Sequence, residues 1–381
     1  MKKHIVIIGS GLAGYMLAKE FRKLDKETSL TIITKNNGDF YSKPQLSTAL
    51  TLKKHADNLS MGSSDKMSQQ LNATIITNVQ VNKIDTDAQK VLHDKGEVAY
   101  TSLVLAVGAE KLQAPLSGDA INEVQSVNHL EEYASFREWL EGKKHVAIIG
   151  AGLVGCEFAN DLVNHGCKVS VFAPEKWPLM SLLPEEIGKV LKKALAEQGV
   201  DWHLCRFAER VDKTDEGIRL STTVADAVNV DGVFSAIGLK SNTALAKAAG
   251  ITVKEGIQVN KLLETSVKNI YALGDCAEVE GYVKQYVAPL LQCARALAKI
   301  LSGDASPVLY PAMPVIIKTP ACPLALLPPE KGVQGHWKVE GAGNDLKALF
   351  YNTQEELVGF ALSGSCVSQK MELVKQMPVL L

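Results

Sequence analysis

"GSGLAGYMLAKEFRKLD", residues 9–25, and "GAGLVGCEFANDLVNHG", residues 150–166, are two versions of one pattern. A short apolar run precedes each one: His4-Ile5-Val6-Ile7-Ile8 in the first, His145-Val146-Ala147-Ile148-Ile149 in the second. Both runs read as buried strands. Gly9-x-Gly11-x-x-Gly14 and Gly150-x-Gly152-x-x-Gly155 then lead into amphipathic helices. In such a loop the first glycine makes a tight turn and the second lets backbone approach a pyrophosphate. The third allows helix and strand to pack closely, and the helix N-terminus supplies free N–H groups. A further strand follows each helix, Leu30-Thr31-Ile32-Ile33 and Val169-Ser170-Val171-Phe172. One G-x-G-x-x-G alone is compatible with a mere packing turn. Two copies, each between strands, point to two bound dinucleotides.

The chain has 381 residues, enough for two or three domains, with 46% hydrophobic and 22% charged residues. Forty-one basic residues stand against 42 acidic ones, a formal net charge of −1, which argues against bulk nucleic-acid binding. Seven cysteines, at 156, 167, 205, 276, 293, 322 and 366, show no C-x-x-C spacing. Neither a zinc ribbon nor a redox pair is suggested, so no metal is expected, and isolated thiols fit a reducing cytoplasm. The opening "MKKHIVIIGSGLAGYMLAKE" imitates a signal peptide, but glycines interrupt its short apolar run and a charged helix follows. No uninterrupted apolar run of about 18 residues is present, so no membrane span is expected.

The layout expected is α/β: two Rossmann-like dinucleotide-binding domains, the second inserted into the first, and a small α+β C-terminal domain. "YTSLVLAVGAEK" closes the first stretch, and "HLEEYASFREWLEGK" reads as a crossover helix. "VDGVFSAIGLKSNT" closes the second unit, after which "KNIYALGDCAEV" returns as a strand and "APLLQCARALAKILSG" as a helix. The tail carries five prolines in "MPVIIKTPACPLALLPPEKG" and then alternates like antiparallel strands. Boundaries follow: residues 1–112 with 240–310, residues 113–239, and residues 311–381.

"LLETSVKNIYALGDCAEV", residues 262–279, resembles the T-x(5)-YAxGD signature of flavoproteins with two dinucleotide-binding domains. "LVLAVGA", "VFSAIGLKSNT" and "GAGLVGCE" resemble further motifs of the same group, the pyridine nucleotide–disulfide oxidoreductases, and the likeness covers nearly the whole chain. It implies FAD in the first unit, on Gly9, Gly11, Leu12, Ala13 and Gly14, with Asp275 holding a ribityl hydroxyl. It implies NADH in the second unit, on Gly150, Gly152 and Gly155. The disulfide that names the group is missing. Its place reads "DFYSKPQLSTAL", with Ser42 and Ser47 where single-cysteine members put a thiol. Electrons then leave the flavin directly, as in the ferredoxin, putidaredoxin and rubredoxin reductases. Within that branch "YSKPQLSTAL", "KTPACPLALLPP" and "GCEFANDL" look most like the rubredoxin reductases of alkane-degrading bacteria. Rubredoxin is therefore the expected partner and an alkane hydroxylase system the expected destination.

The resemblance also implies roles for single side chains. Lys43 is similar to a lysine beside flavin N5, and Glu157 to an acidic residue that pairs with it. Lys318 is similar to a residue reaching the ring from the C-terminal domain, where a cation stabilises reduced flavin. Val81 and Val287 match positions whose backbone meets FAD. Read without the resemblance, Asp275 is a turn residue, Lys43 and Glu157 are surface charges, and Lys318 is a solvated strand end. Two departures stand out. The acidic residue that usually ends the second Rossmann strand is replaced by Thr34-Lys35 and by Ala173-Pro174. Thr34 can still bond adenosine, with Lys35 near it, and Glu175 leans the second site toward NADH. An acidic partner would dock on basic surface, for which Lys53, Lys54 and His55 are candidates. Ferredoxin or flavorubredoxin reduction and an NADH-sensing flavoprotein are the competing readings. A monomer or weak dimer is expected.

Overall fold

The computed structural model describes residues 2–224 and 227–381. Its first sheet has five parallel strands, in the order Ile270–Ala272, Ser102–Leu105, His4–Ile8, Ser29–Ile33, Thr74–Ile76. The outermost strand arrives from far down the chain, so the first unit is complete only after the second has been made. Ile5, Val6 and Ile7 are at most 1% exposed, as a parallel strand covered on both faces requires. The helices Leu12–Leu24 and Val287–Leu301 pack together beside this sheet, burying Leu17 and Phe21 with Ala294 and Leu297.

The second sheet has four parallel strands, in the order Val200–Leu204, Lys168–Ala173, His145–Ile149, Gly232–Ser235. The crossover helix Leu130–Leu140 is fastened to it by rings: Phe136 and Phe158 both meet Phe234, at 5.3 and 4.5 Å between centroids. Each parallel sheet is accompanied by a three-stranded antiparallel one, built from Val81–Asp85, Lys90–His93 and Gly96–Ala99, and from Ala208–Thr214, Gly217–Thr222 and Ala227–Val230. The two passages of chain between the units run side by side, Ala109–Lys111 antiparallel to Leu239–Ser241. A five-stranded antiparallel sheet forms the tail, in the order Val315–Ile317, Leu324–Leu327, Leu357–Ser363, Asp345–Asn352, Gly335–Ala342. Its edge strand Val315–Ile317 delivers Lys318 toward the other two units. No described helix is long and apolar enough to cross a membrane.

Candidate active site

The two glycine loops repeat one geometry. Gly9 and Gly150 have φ of +116° and +108°, and a Cβ on them would meet the carbonyls of Ala106 and Ala236 at 2.2 and 2.6 Å. Each thus lies against the end of the neighbouring strand, where only glycine fits. A Cβ on Gly14 or Gly155 would stand 2.0 Å from the carbonyl oxygen of Gly9 or Gly150, so the third glycine seats the helix on its own loop. Gly11 and Gly152 differ: a Cβ there meets nothing within 4 Å. Both are the N-caps of their helices, neither offers a side-chain cap, and neither first turn holds an acidic residue. Open space in front of uncapped N–H groups is what a pyrophosphate needs. The loops therefore fit the dinucleotides on steric grounds.

In the first unit, Gly274 (φ +77°) presses on the glycine helix, where a Cβ would stand 2.8 Å from that of Ala13. Asp275 is thereby brought to the mouth of the Gly9–Gly14 loop. Its backbone carbonyl accepts the Ser241 hydroxyl at 2.7 Å, and its carboxylate is left free of ion pairs among the described residues. Lys43 opens the 3-10 helix Lys43–Thr48. Burial pulls its pKa down, opposed by the charges of Asp275 and Glu132, while burial raises the pKa of Asp275, opposed by Lys43. Two half-buried opposite charges feel each other here without an ion pair. Thr34, 6% exposed, accepts the Ser10 hydroxyl at 2.9 Å, and Lys35 is exposed. Val81 begins a strand, and Val287 begins the helix packed on the first glycine helix.

Glu157 is 7% exposed and fully engaged, but its partner is not the expected one. One oxygen accepts the Lys318 ammonium at 2.6 Å and the Ser47 hydroxyl at 2.5 Å, and the other accepts the Lys318 backbone N–H at 3.0 Å. The Lys318 ammonium also donates to Ser47 Oγ at 2.7 Å and to the Pro44 carbonyl. The expected pair between Lys43 and Glu157 is thus replaced by one between Lys318 and Glu157. Three donors already fill the carboxylate, and Lys43 is held in the field of Asp275 and Glu132 instead. Lys318 touches the turn that carries Lys43, and its ammonium is spent there on three acceptors.

Reading the sequence as motifs missed the polar seam of the helix Leu153–Asn164. Glu157, Asn160, Asp161 and Asn164 fall at i, i+3, i+4 and i+7, one face of a helix. Asn160 accepts the Ala321 N–H at 3.5 Å. Asp161, 2% exposed, accepts Leu50 N–H at 3.0 Å and Thr51 N–H at 2.8 Å, and Asn164 donates to the Thr51 hydroxyl at 3.3 Å. Burial raises the Asp161 pKa against the pull of those donors. Four polar residues on one face of an otherwise apolar helix are the signal that could have been noticed. Near the second loop, Glu175 Oε2 is sealed from solvent without a hydrogen-bond partner. The seven cysteines are all free, and Ser47, not a thiol, stands beside Glu157.

A model of the pyridine nucleotide-disulphide oxidoreductases matches residues 3–296, and one of a rubredoxin binding C-terminal domain matches residues 307–377. The rubredoxin-NAD(+) reductase of Alcanivorax borkumensis is 47% identical over 379 residues, covering 99% of each chain. That of Acinetobacter baylyi is 42% identical over 386 residues, covering 99% of this chain and 98% of that one. Among solved structures, the covalent putidaredoxin reductase–putidaredoxin complex superposes with a TM-score of 0.90 at 24% identity, over 99% of this chain and 94% of that one, a likeness of fold. The first model covers both glycine loops and the Gly274-Asp275 turn, and the full-length relatives cover the tail as well. The chain belongs to the pyridine nucleotide-disulphide oxidoreductase family.

Proposed function

We propose that the chain binds FAD and NADH and passes the electrons of NADH to rubredoxin. One observation carries the reading: the helix that opens from the second glycine loop is bonded, through Glu157, to the turn that bears Lys43 in the first unit. The two nucleotide loops thus serve one site. Bound FAD supplies the ability to take two electrons as a hydride and release them singly. The chain supplies position and field. Gly9, Gly11, Leu12, Ala13 and Gly14 receive the pyrophosphate of FAD, Asp275 accepts from a ribityl hydroxyl, and the Thr34–Lys35 corner and the backbone at Val81 and Val287 border the rest. Lys43 places a positive charge beside the ring. Lys318 acts through Glu157 and Ser47 by holding that turn in place. Residues 1–112 with 240–310 form the FAD unit, residues 113–239 the NADH unit and residues 311–381 the partner-binding unit.

Gly150, Gly152 and Gly155 receive NADH. The carboxylate charge of Glu175, two residues past the strand Lys168–Ala173, repels a 2′-phosphate, so kcat/KM for NADH exceeds that for NADPH. Rubredoxin as acceptor is supported by the C-terminal match and by the full-length relatives. Delivery to an alkane hydroxylase, a cytoplasmic location and docking of an acidic partner near Lys53 and His55 complete the proposal. Both side chains are exposed, and docking of this kind weakens as salt rises.

Anaerobic mixing tests the reading. Purified yellow protein should be bleached by NADH and recover its colour on adding oxidised rubredoxin, faster than with ferredoxin or flavorubredoxin. Colourless protein, or flavin that NADH leaves oxidised, overturns it. In the same assay Lys43→Ala should slow bleaching, and a wild-type rate removes Lys43 from the site.

A further inference from the structure

We infer that Asp161 is a positioning residue for flavin reduction, because its carboxylate fixes the end of the turn whose beginning carries Lys43. The inference rests on the functional reading above and extends it to a residue outside the nucleotide loops. The 3-10 helix Lys43–Thr48 is six residues long, and such helices hold their shape poorly without outside support. Lys318 supplies part of that support from the C-terminal unit, and two further grips come from the helix Leu153–Asn164. Glu157 holds the turn through Ser47 at 2.5 Å. One helical turn later, Asp161 takes the next free N–H groups of the same segment, Leu50 at 3.0 Å and Thr51 at 2.8 Å. A carboxylate accepting two backbone N–H groups from one segment fixes direction as well as distance. Asn164 adds the Thr51 side chain at 3.3 Å.

The gripping helix begins at Gly152, the open glycine of the second loop. A rigid element thus joins the place where NADH docks to the segment that presents Lys43. Hydride transfer is sensitive to misplacement on the scale of an ångström. Loosening the Asp161 grip should therefore cost rate at saturating NADH more than it costs NADH affinity.

The test uses flavin-loaded Asp161→Asn, which keeps the side chain's size but turns one acceptor into a donor facing an N–H group. Rapid anaerobic mixing with NADH should show the limiting rate of bleaching reduced at least about tenfold, with the apparent NADH Kd changed by less than about threefold. Photoreduced variant should be reoxidised by ferricyanide at the wild-type rate, since that step does not involve the nicotinamide. Hydrogen–deuterium exchange should rise in a peptide spanning residues 46–54 and stay unchanged in one spanning residues 4–8. A wild-type limiting rate in the folded, yellow variant overturns the inference, even if exchange rises, because the grip is then only structural. An equal slowing of ferricyanide reoxidation overturns it too, as general damage. Should the Asn variant fail to retain flavin, Asp161→Ser, smaller and still an acceptor, is read by the same comparisons. Wild-type enzyme that NADH fails to bleach overturns the functional reading and the inference together; a normal wild type with a normal variant overturns the inference alone.

Discussion

At the scale of single residues, glycines that share a motif answer to different constraints. Gly155 is required by the fold, because a Cβ would stand 2.0 Å from the Gly150 carbonyl oxygen. Gly155→Ala must displace backbone, and the variant should lose about 2–3 kcal/mol in chemical denaturation. Gly152 is not required by packing, because a Cβ there meets nothing within 4 Å, and the proposed pyrophosphate contact is what would need it. Gly152→Ala should keep the wild-type melting temperature while raising KM for NADH roughly tenfold, about 1.4 kcal/mol of binding. Unchanged KM in Gly152→Ala would move the pyrophosphate away from this loop. The thiols are governed by burial. It pushes Cys276 up to about 12 and Cys293 and Cys322 up to about 11, and raises Cys156 as well. These groups stay protonated at pH 8, below their raised pKa values, and a protonated thiol is a poor nucleophile. Iodoacetamide at that pH should label the exposed Cys205 and the partly exposed Cys366, and leave the limiting rate of flavin bleaching intact. Label on Cys276 or Cys156 in folded enzyme would contradict this.

At the scale of elements, the helix Leu153–Asn164 is the joint of the molecule. Its apolar side packs in the second unit, with Phe158 and Leu162 buried, while its polar seam reaches the turn 43–51 and the C-terminal residues 318–321. The seam includes a carboxylate that is almost entirely buried, and a buried charge is costly once its partner is removed. Lys318→Met should therefore destabilise by about 2–3 kcal/mol, less than a fully enclosed pair would give because the Lys318 side chain is 33% exposed. Neutralising the survivor should return part of that loss, so Lys318→Met with Glu157→Gln should cost less than the sum of the two single changes. Strict additivity in denaturant titrations would mean that the two groups do not act as a pair.

At the scale of the whole molecule, local patterns and long-range contacts set different parts of the structure. The apolar runs and the glycine spacing are local patterns, and they placed the central strands of both parallel sheets, the helices that open from the glycine loops and the antiparallel tail, but not the edge strands Thr74–Ile76 and Val200–Leu204. The return of residues 270–272 to the first sheet was implied by the family resemblance of the motif that ends in Gly274-Asp275. The charged cluster was legible only as a set of members. Lys43, Glu157 and Lys318 could each be singled out by resemblance, but the choice of partner joins residues 161, 110 and 271 positions apart. Such a choice depends on where three separately built units come to rest. Asp161 escaped notice for the same reason: its partners are backbone N–H groups, which every residue but proline has and which leave no trace in composition. Sequence alone determined which stretches become nucleotide loops, since turn geometry and helix capping are set within a few residues. Only the tertiary structure decided which carboxylate meets which cation, since desolvation and distance are properties of the assembled interior.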